Sequence, residues 1–171
     1  MVGANGAGVL AAEQGDFAAA RAHFDESLEL ARARGARHDE SRASSNLGVL
    51  AVYAGDDAEA IRRYEHAAAI ARELGDERTL ALLLQNLGPV HAGLGHRERA
   101  VALHEEGLVA AAPLGDPALV QSLQRGLARL LIDEERVEAT LRSAVGSDVF
   151  TDAVAEGAAL PQADAVALAL S

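Results

Sequence analysis

The chain has 171 residues, half of them hydrophobic, and a formal net charge of -11. That suits one domain with a sizeable core and speaks against a nucleic-acid surface, which needs a clustered positive field. There is no cysteine and all fifteen basic residues are arginine, which excludes disulfides, thiolate chemistry, Schiff bases and a phosphate-binding lysine.

Aromatic residues make up only 3% of the chain. A core of alanine and leucine suits closely packed helices, because small side chains let helix axes approach at the short end of about 8–10 Å. The N-terminus, Met-Val-Gly-Ala-Asn-Gly, lacks the basic start and apolar run of a signal peptide. No stretch approaches the roughly 18 apolar residues of a membrane span. The expectation is a cytoplasmic protein without membrane contact.

A shift of 40 residues superposes Gly8, Gly48 and Gly88, then Gly15, Gly55 and Gly95, then Ala20, Ala60 and Ala100, then Gly35, Gly75 and Gly115. Each unit reads as two antiparallel helices joined by a glycine-centred turn. A lone pair cannot bury its apolar face, whereas three stacked pairs can.

In chain order, a repeat over about 4–37 opens on a short helix ending at Gln14-Gly15-Asp16. There Gly15 supplies a left-handed turn and Asp16 caps the next helix. That helix runs from Phe17 to about Arg34, with Ala20, Phe24, Ser27, Leu28 and Ala31 on one face. The repeat over 38–76 has helices near His38–Ala54 and Asp57–Leu74. The repeat over 77–116 has them near Glu77–Leu94 and Arg97–Ala112, and Pro113 ends the second. A partial fourth repeat starts at Pro117 with an apolar stripe of Leu119, Leu123, Leu127 and Leu130. The run Ile132-Asp133-Glu134-Glu135-Arg136 has no glycine. One helix continuing to about Val145 is therefore preferred to a turn near Asp133. Further helices from Ser147 to Glu156 and from about Pro161 to Leu170 make residues 132–171 a helical cap on an all-α array spanning 4–131.

These residues resemble the tetratricopeptide repeat. Its pattern of a small residue, a large one, alanine, an aromatic and a small residue falls here on Gly48, Ala51, Ala60, Tyr64 and Ala67, and on Gly8, Ala11, Ala20, Phe24 and Ser27. Ala11 and Ala51 are smaller than the pattern asks, and 40 residues exceed the usual repeat of about 34, so the helices are longer. The resemblance implies a right-handed superhelical α-solenoid. The longer form, with phrases such as GVLAAEQGDFAAARAHFDESLELARARG, is similar to the C-terminal array of LuxR-type and AfsR-type bacterial regulators. The segment LRSAVGSDVFTDAVAEGAALPQADAVALAL resembles their closing segment. The ATPase and DNA-binding helix-turn-helix of those regulators have no counterpart in this sequence, and the first repeat begins part-way through its pattern.

The resemblance implies a module that binds a protein or peptide partner and needs no cofactor or metal. By repeat position the inner wall presents Arg42, Ser45, Val49, Val52 and Tyr53, then Leu82, Gln85, Pro89, Ala92 and Gly93, then Ser122, Arg125 and Arg129. Apolar in the middle with arginines at its flanks, this wall suits a partner with apolar anchors and acidic residues. Pro89 cannot donate to the carbonyl of Gln85, which leaves that oxygen free and should bend the helix. His91 and His104 are expected to face each other where the two helices of one repeat pack. Gly3, Gly6 and Gly8 are read as packing glycines and not as a phosphate loop. The 26 carboxylates sit mostly in capping turns such as Asp56-Asp57 and Asp76-Glu77, and no catalytic arrangement is expected. The competing reading is a self-associating structural remnant, a homodimer formed through exposed Val9 and Leu10 of the first repeat.

Overall fold

A glycine every 20 residues sets the frame of the fold. Gly15, Gly35, Gly55, Gly75, Gly95 and Gly115 all take positive φ between 63° and 79°. At Gly55, which ends one helix in the left-handed region, the next amide completes the cap as Asp56 N donates to Ala51 O at 2.9 Å. Asp56 Oδ1 then accepts from Glu59 N at 3.0 Å and starts the following helix. Asp16, Asp76 and Asp116 do the same for their helices.

The computed structural model describes residues 3–131. Among them are seven α-helices and no strand: α1 (Ala4–Glu13), α2 (Phe17–Ala33), α3 (Arg37–Ala54), α4 (Asp57–Leu74), α5 (Glu77–Gly93), α6 (Arg97–Ala111) and α7 (Pro117–Leu131). A 3-10 turn over Ala112–Leu114 contains Pro113. The helices fall within about a residue of the sequence expectation. The expected helix beyond Leu131 and the two cap helices lie outside the described residues. Chain contacts divide the protein into two units, 1–126 and 127–171, so the last residues of α7 belong to the second.

Within the first unit each helix from α1 to α6 packs on its neighbours in the chain, giving an all-α solenoid of antiparallel pairs. In each pair a ring from the second helix lies on a glycine of the first. A Cβ on Gly8 would stand 2.5 Å from Phe24 Cε1, one on Gly48 2.8 Å from Tyr64 Cε1, and one on Gly88 1.9 Å from His104 Cε1. Gly8 and Gly88 are thus packing positions inside helices, and the Gly3, Gly6 and Gly8 cluster forms no loop. Burial pushes the Tyr64 phenol up to about 12, with Tyr53 adding to the shift.

The joints between pairs differ. Leu80 is buried where α5 meets the preceding repeat, but at the equivalent place on α3 the chain has Glu40, also buried. Its carboxylate accepts from Arg32 Nε at 3.1 Å and from Arg37 Nη1 at 2.8 Å, and lies 2.9 Å from His66 Nε2. Arg37 also bonds Glu73. One carboxylate therefore ties α2, α3 and α4. Burial pushes the Glu40 pKa up, but the bonds from His66, Arg32 and Arg37 outweigh it and hold the group below the ordinary carboxylate value. Ser41 and Ser44 add bonds to the α4 carbonyls of Ala67 and Arg63 at 3.1 and 2.9 Å.

Replacing Glu40 by Gln should cost about 1–3 kcal/mol at neutral pH, because it weakens a buried charge-assisted network. Glu40→Leu, which copies the next repeat, should cost less. The stability that Glu40 supplies is complete above its ordinary pKa of 4.5 and is lost as pH falls through its lowered native value. The difference between wild type and Glu40→Gln in urea denaturation should therefore narrow in acid. A pH-independent difference contradicts the network.

Candidate partner-binding groove

The first helix of each pair carries the residues that the sequence assigns to the binding wall. Three of them, Arg42, Ser45 and Leu82, meet in an open cleft of about 290 Å³ between α3, the end of α4 and α5. The cleft also takes Ser41 and Asn46 from α3, Leu74 from α4, and Thr79, Leu83 and Asn86 from α5. Leu74 and Leu82 are 39% and 43% exposed, so each offers an apolar contact without being part of the core.

The other assigned residues lie elsewhere. Val49 is half-buried against the core, Gln85 is half-buried and Pro89 is exposed on α5, which runs through the proline to Gly93. Val52 is exposed on the last turns of α3, and Tyr53 beside it stacks on Phe17 with ring centroids 5.5 Å apart. Arg125 is exposed on α7. Arg129 is exposed on the same helix but falls in the second unit.

The cleft is not simply positive. Arg42 Nη2 donates to Asp39 Oδ1 at 2.7 Å, and Asp76 contributes a carboxylate to the wall, 3.8 Å from His38 Nδ1. Burial pushes Asp76 up, but bonds from Thr79 N at 3.0 Å and Thr79 Oγ1 at 2.7 Å outweigh it and keep the carboxyl below its ordinary value. A partner carboxylate reaching Arg42 must compete with Asp39, an exposed pair of the kind that contributes about 0–1 kcal/mol.

The expected pairing of His91 with His104 is replaced by another. Both are buried, but His91 Nδ1 lies 3.3 Å from His96 Nδ1 across the α5–α6 turn, with the rings 5.6 Å apart. His104 Nδ1 donates to Ala100 O at 2.9 Å, and its ring fills the space between Gly88 and Gly126. The ring therefore plays the part of Phe24 and Tyr64. In the repeat alignment His96 stands where Asp16 and Asp56 cap their helices, and it makes no side-chain cap bond. That break in the pattern is the sequence signal for its other role.

Residues 3–73 and, overlapping them, 44–111 match the tetratricopeptide repeat. The chain belongs to the tetratricopeptide repeat family. Its fold is similar to that in the crystal structure of BtubC (BKLC) from P. vanneervenii, with a TM-score of 0.72 and 17% sequence identity over 92% of this chain. The match spans 65% of the length of that protein. No curated protein sequence matches the chain.

Within this tetratricopeptide array, Asn46 and Asn86 occupy the same repeat position and both line the cleft. Each precedes a Leu-Gly whose glycine, Gly48 or Gly88, belongs to the 40-residue register, but the expected wall did not include either asparagine. Asn46 Nδ2 already donates to Asn5 Oδ1 at 3.0 Å, from the repeat before. Among the described residues no group of three or more His, Cys, Asp or Glu could hold a metal ion. No helix there is long and apolar enough to cross a membrane.

Burial, with Arg99 and His96, lowers the His91 pKa below its ordinary 6.5 against the opposing pull of Glu65. A histidine kept neutral in the fold takes up its proton more readily when unfolded, so its contribution is lost as pH falls below 6.5. Thermal melting at pH 8 and pH 5 should show a larger acid loss in wild type than in His91→Phe. Equal losses would remove His91 as a source of acid sensitivity.

Proposed function

We propose that this chain is a non-enzymatic protein-interaction module whose cleft between α3 and α5 holds a peptide or helical segment of a partner protein. The observation that carries the reading is the convergence of Arg42, Ser45, Asn46, Leu82 and Asn86, from the first helices of two successive repeats, around one open cleft. Exposed leucines supply apolar contacts there, and amide and hydroxyl groups supply bonds to a main chain. Arg42 can turn from Asp39 to a partner carboxylate, which favours a segment with an apolar anchor beside an acidic residue. The 40-residue repeat and the closing segment, which resemble LuxR-type and AfsR-type regulators, support a role as the partner-sensing array of such a regulator.

A second reading is favoured by the first repeat. Leu10 and Leu30 are 53% and 41% exposed, whereas their equivalents Leu50 and Ile70 are 5% and 0% exposed. Leu50 shares one buried cluster with Phe24 and Leu28 of the preceding repeat. A second copy of the chain placed on Leu10 and Leu30 would bury the same positions. Light scattering over a range of concentrations separates the two readings, because a dimer that Leu10→Ser abolishes supports self-association.

The groove reading is tested by selecting binders from a random peptide library and measuring them against variants. Leu82→Ser and Arg42→Ser should each weaken the selected peptides by about tenfold, the scale of a central contact. Val109→Ser, at a residue 76% exposed on α6, should change nothing. Peptides that bind the Leu82 and Arg42 variants as well as wild type move the site to another face.

A further inference from the structure

Apart from the cleft, the described residues hold one exposed aromatic feature. Phe24 and Tyr64 are in the core, but Phe17 and Tyr53 are 47% and 72% exposed. They stack on each other with centroids 5.5 Å apart and planes 17° from parallel. Neither position is aromatic in the other repeats, where Phe17 corresponds to Asp57 and Arg97, and Tyr53 to Glu13 and Gly93. The stack is thus not an ingredient of the repeat. It joins the start of α2 to the end of α3, at the edge formed by the turns within pairs.

The turns that flank the stack in the chain are acidic, and Asp16 and Asp56 there also cap α2 and α4 through Oδ1. Asp16 precedes Phe17, Asp56 and Asp57 follow Tyr53 after the Gly55 turn, and exposed Glu13 ends α1. Arg21, one turn along α2, is the basic residue of these two segments, while Arg62 and Arg63 further along α4 are paired with Glu59. Val52, 43% exposed, extends the apolar surface beside Tyr53. A ring face with negative quadrupole, backed by a second ring and flanked in the chain by acidic turns, attracts a planar cation that can stack while its N–H groups bond carboxylates.

We propose that the Phe17–Tyr53 stack is a docking point for an arginine side chain of a partner protein. The guanidinium lies on the outer face of Tyr53 and bonds the carboxylates of the adjoining turns. This site is independent of the α3–α5 cleft, which is lined by the N-terminal half of α3, and its chemistry is opposite in charge to a site for acidic segments.

The probe is a short arginine–glycine repeat peptide, with a glutamate–glycine peptide of equal length beside it, titrated by calorimetry at low salt. Wild type should bind the arginine peptide and not the glutamate peptide. Tyr53→Ser, which leaves the net charge unchanged, should weaken binding by about fivefold, and Tyr53→Phe should retain it, since either ring supplies the face. Because Tyr53 is largely exposed, helix content by circular dichroism should be the same in all three proteins. Undiminished binding by Tyr53→Ser overturns the proposal and assigns the attraction to the general negative charge. An arginine peptide that fails to bind wild type overturns it as well.

Discussion

The contact on which the array depends is a ring lying on a glycine. Gly8 with Phe24, Gly48 with Tyr64 and Gly88 with His104 repeat the same arrangement three times, with no room for a Cβ at any of them. A glycine inside a helix costs roughly 0.5–1 kcal/mol relative to alanine. The fold accepts that cost because the bare backbone lets a six- or five-membered ring approach where a Cβ would stand, and the two helices of a pair close to that distance. The alanines that follow, Ala20, Ala60 and Ala100, are all fully buried, which is the same constraint seen from the second helix.

With the pair fixed in this way, the joints between pairs are free to differ. Leu80 and Leu84 make the later joint apolar, while Glu40 with Arg32, Arg37 and His66 makes the earlier one ionic. A buried charged network of this kind adds orientation more than stability, since similar volumes of apolar side chain pack as well. The cleft lies next to this ionic joint, and the residues that line it come from two repeats. Its shape therefore follows from how α3 and α5 are held by the pairs behind them. The exposed residues that line the cleft carry little of the fold: Arg42, Leu82 and Asn86 are exposed, and the helices under them are set by Leu47, Leu83 and Leu87.

Much of this was legible because the chain contains its own alignment. The period of 40, the glycines of the turns and the Asp caps placed the helices almost to the residue. The family resemblance likewise pointed to the right repeat. What the pattern could not supply was the choice of partner among side chains close in space. His91 and His104 sit at positions that pack within one repeat, and facing each other was the natural reading, yet the ring that meets His91 is that of His96, across the α5–α6 turn. The wall was assigned by helix position alone, and of its residues Arg42, Ser45 and Leu82 share one cleft while the others lie outside it. It could not show that Tyr53 turns to Phe17 or that Asp39 reaches Arg42. Departures from the internal alignment, such as Glu40 for Leu80, Tyr53 for Gly93 and His96 for Asp56, mark the places where the structure does something the repeat alone does not require.

The most direct measurement is a double-mutant cycle on one ring and its glycine, with Gly48→Ala and Tyr64→Leu made singly and together and their stabilities read by urea denaturation. With Tyr64 present, Gly48→Ala should destabilise by about 1–3 kcal/mol, the cost of overpacking a tight contact. With leucine at position 64, which can turn away, the same change should be neutral or stabilising, because alanine is the better helix former. That reversal of sign is what a ring resting on bare backbone requires. An equal effect of Gly48→Ala in both backgrounds would contradict it, and would mean that the helix pairs are held by their apolar faces alone.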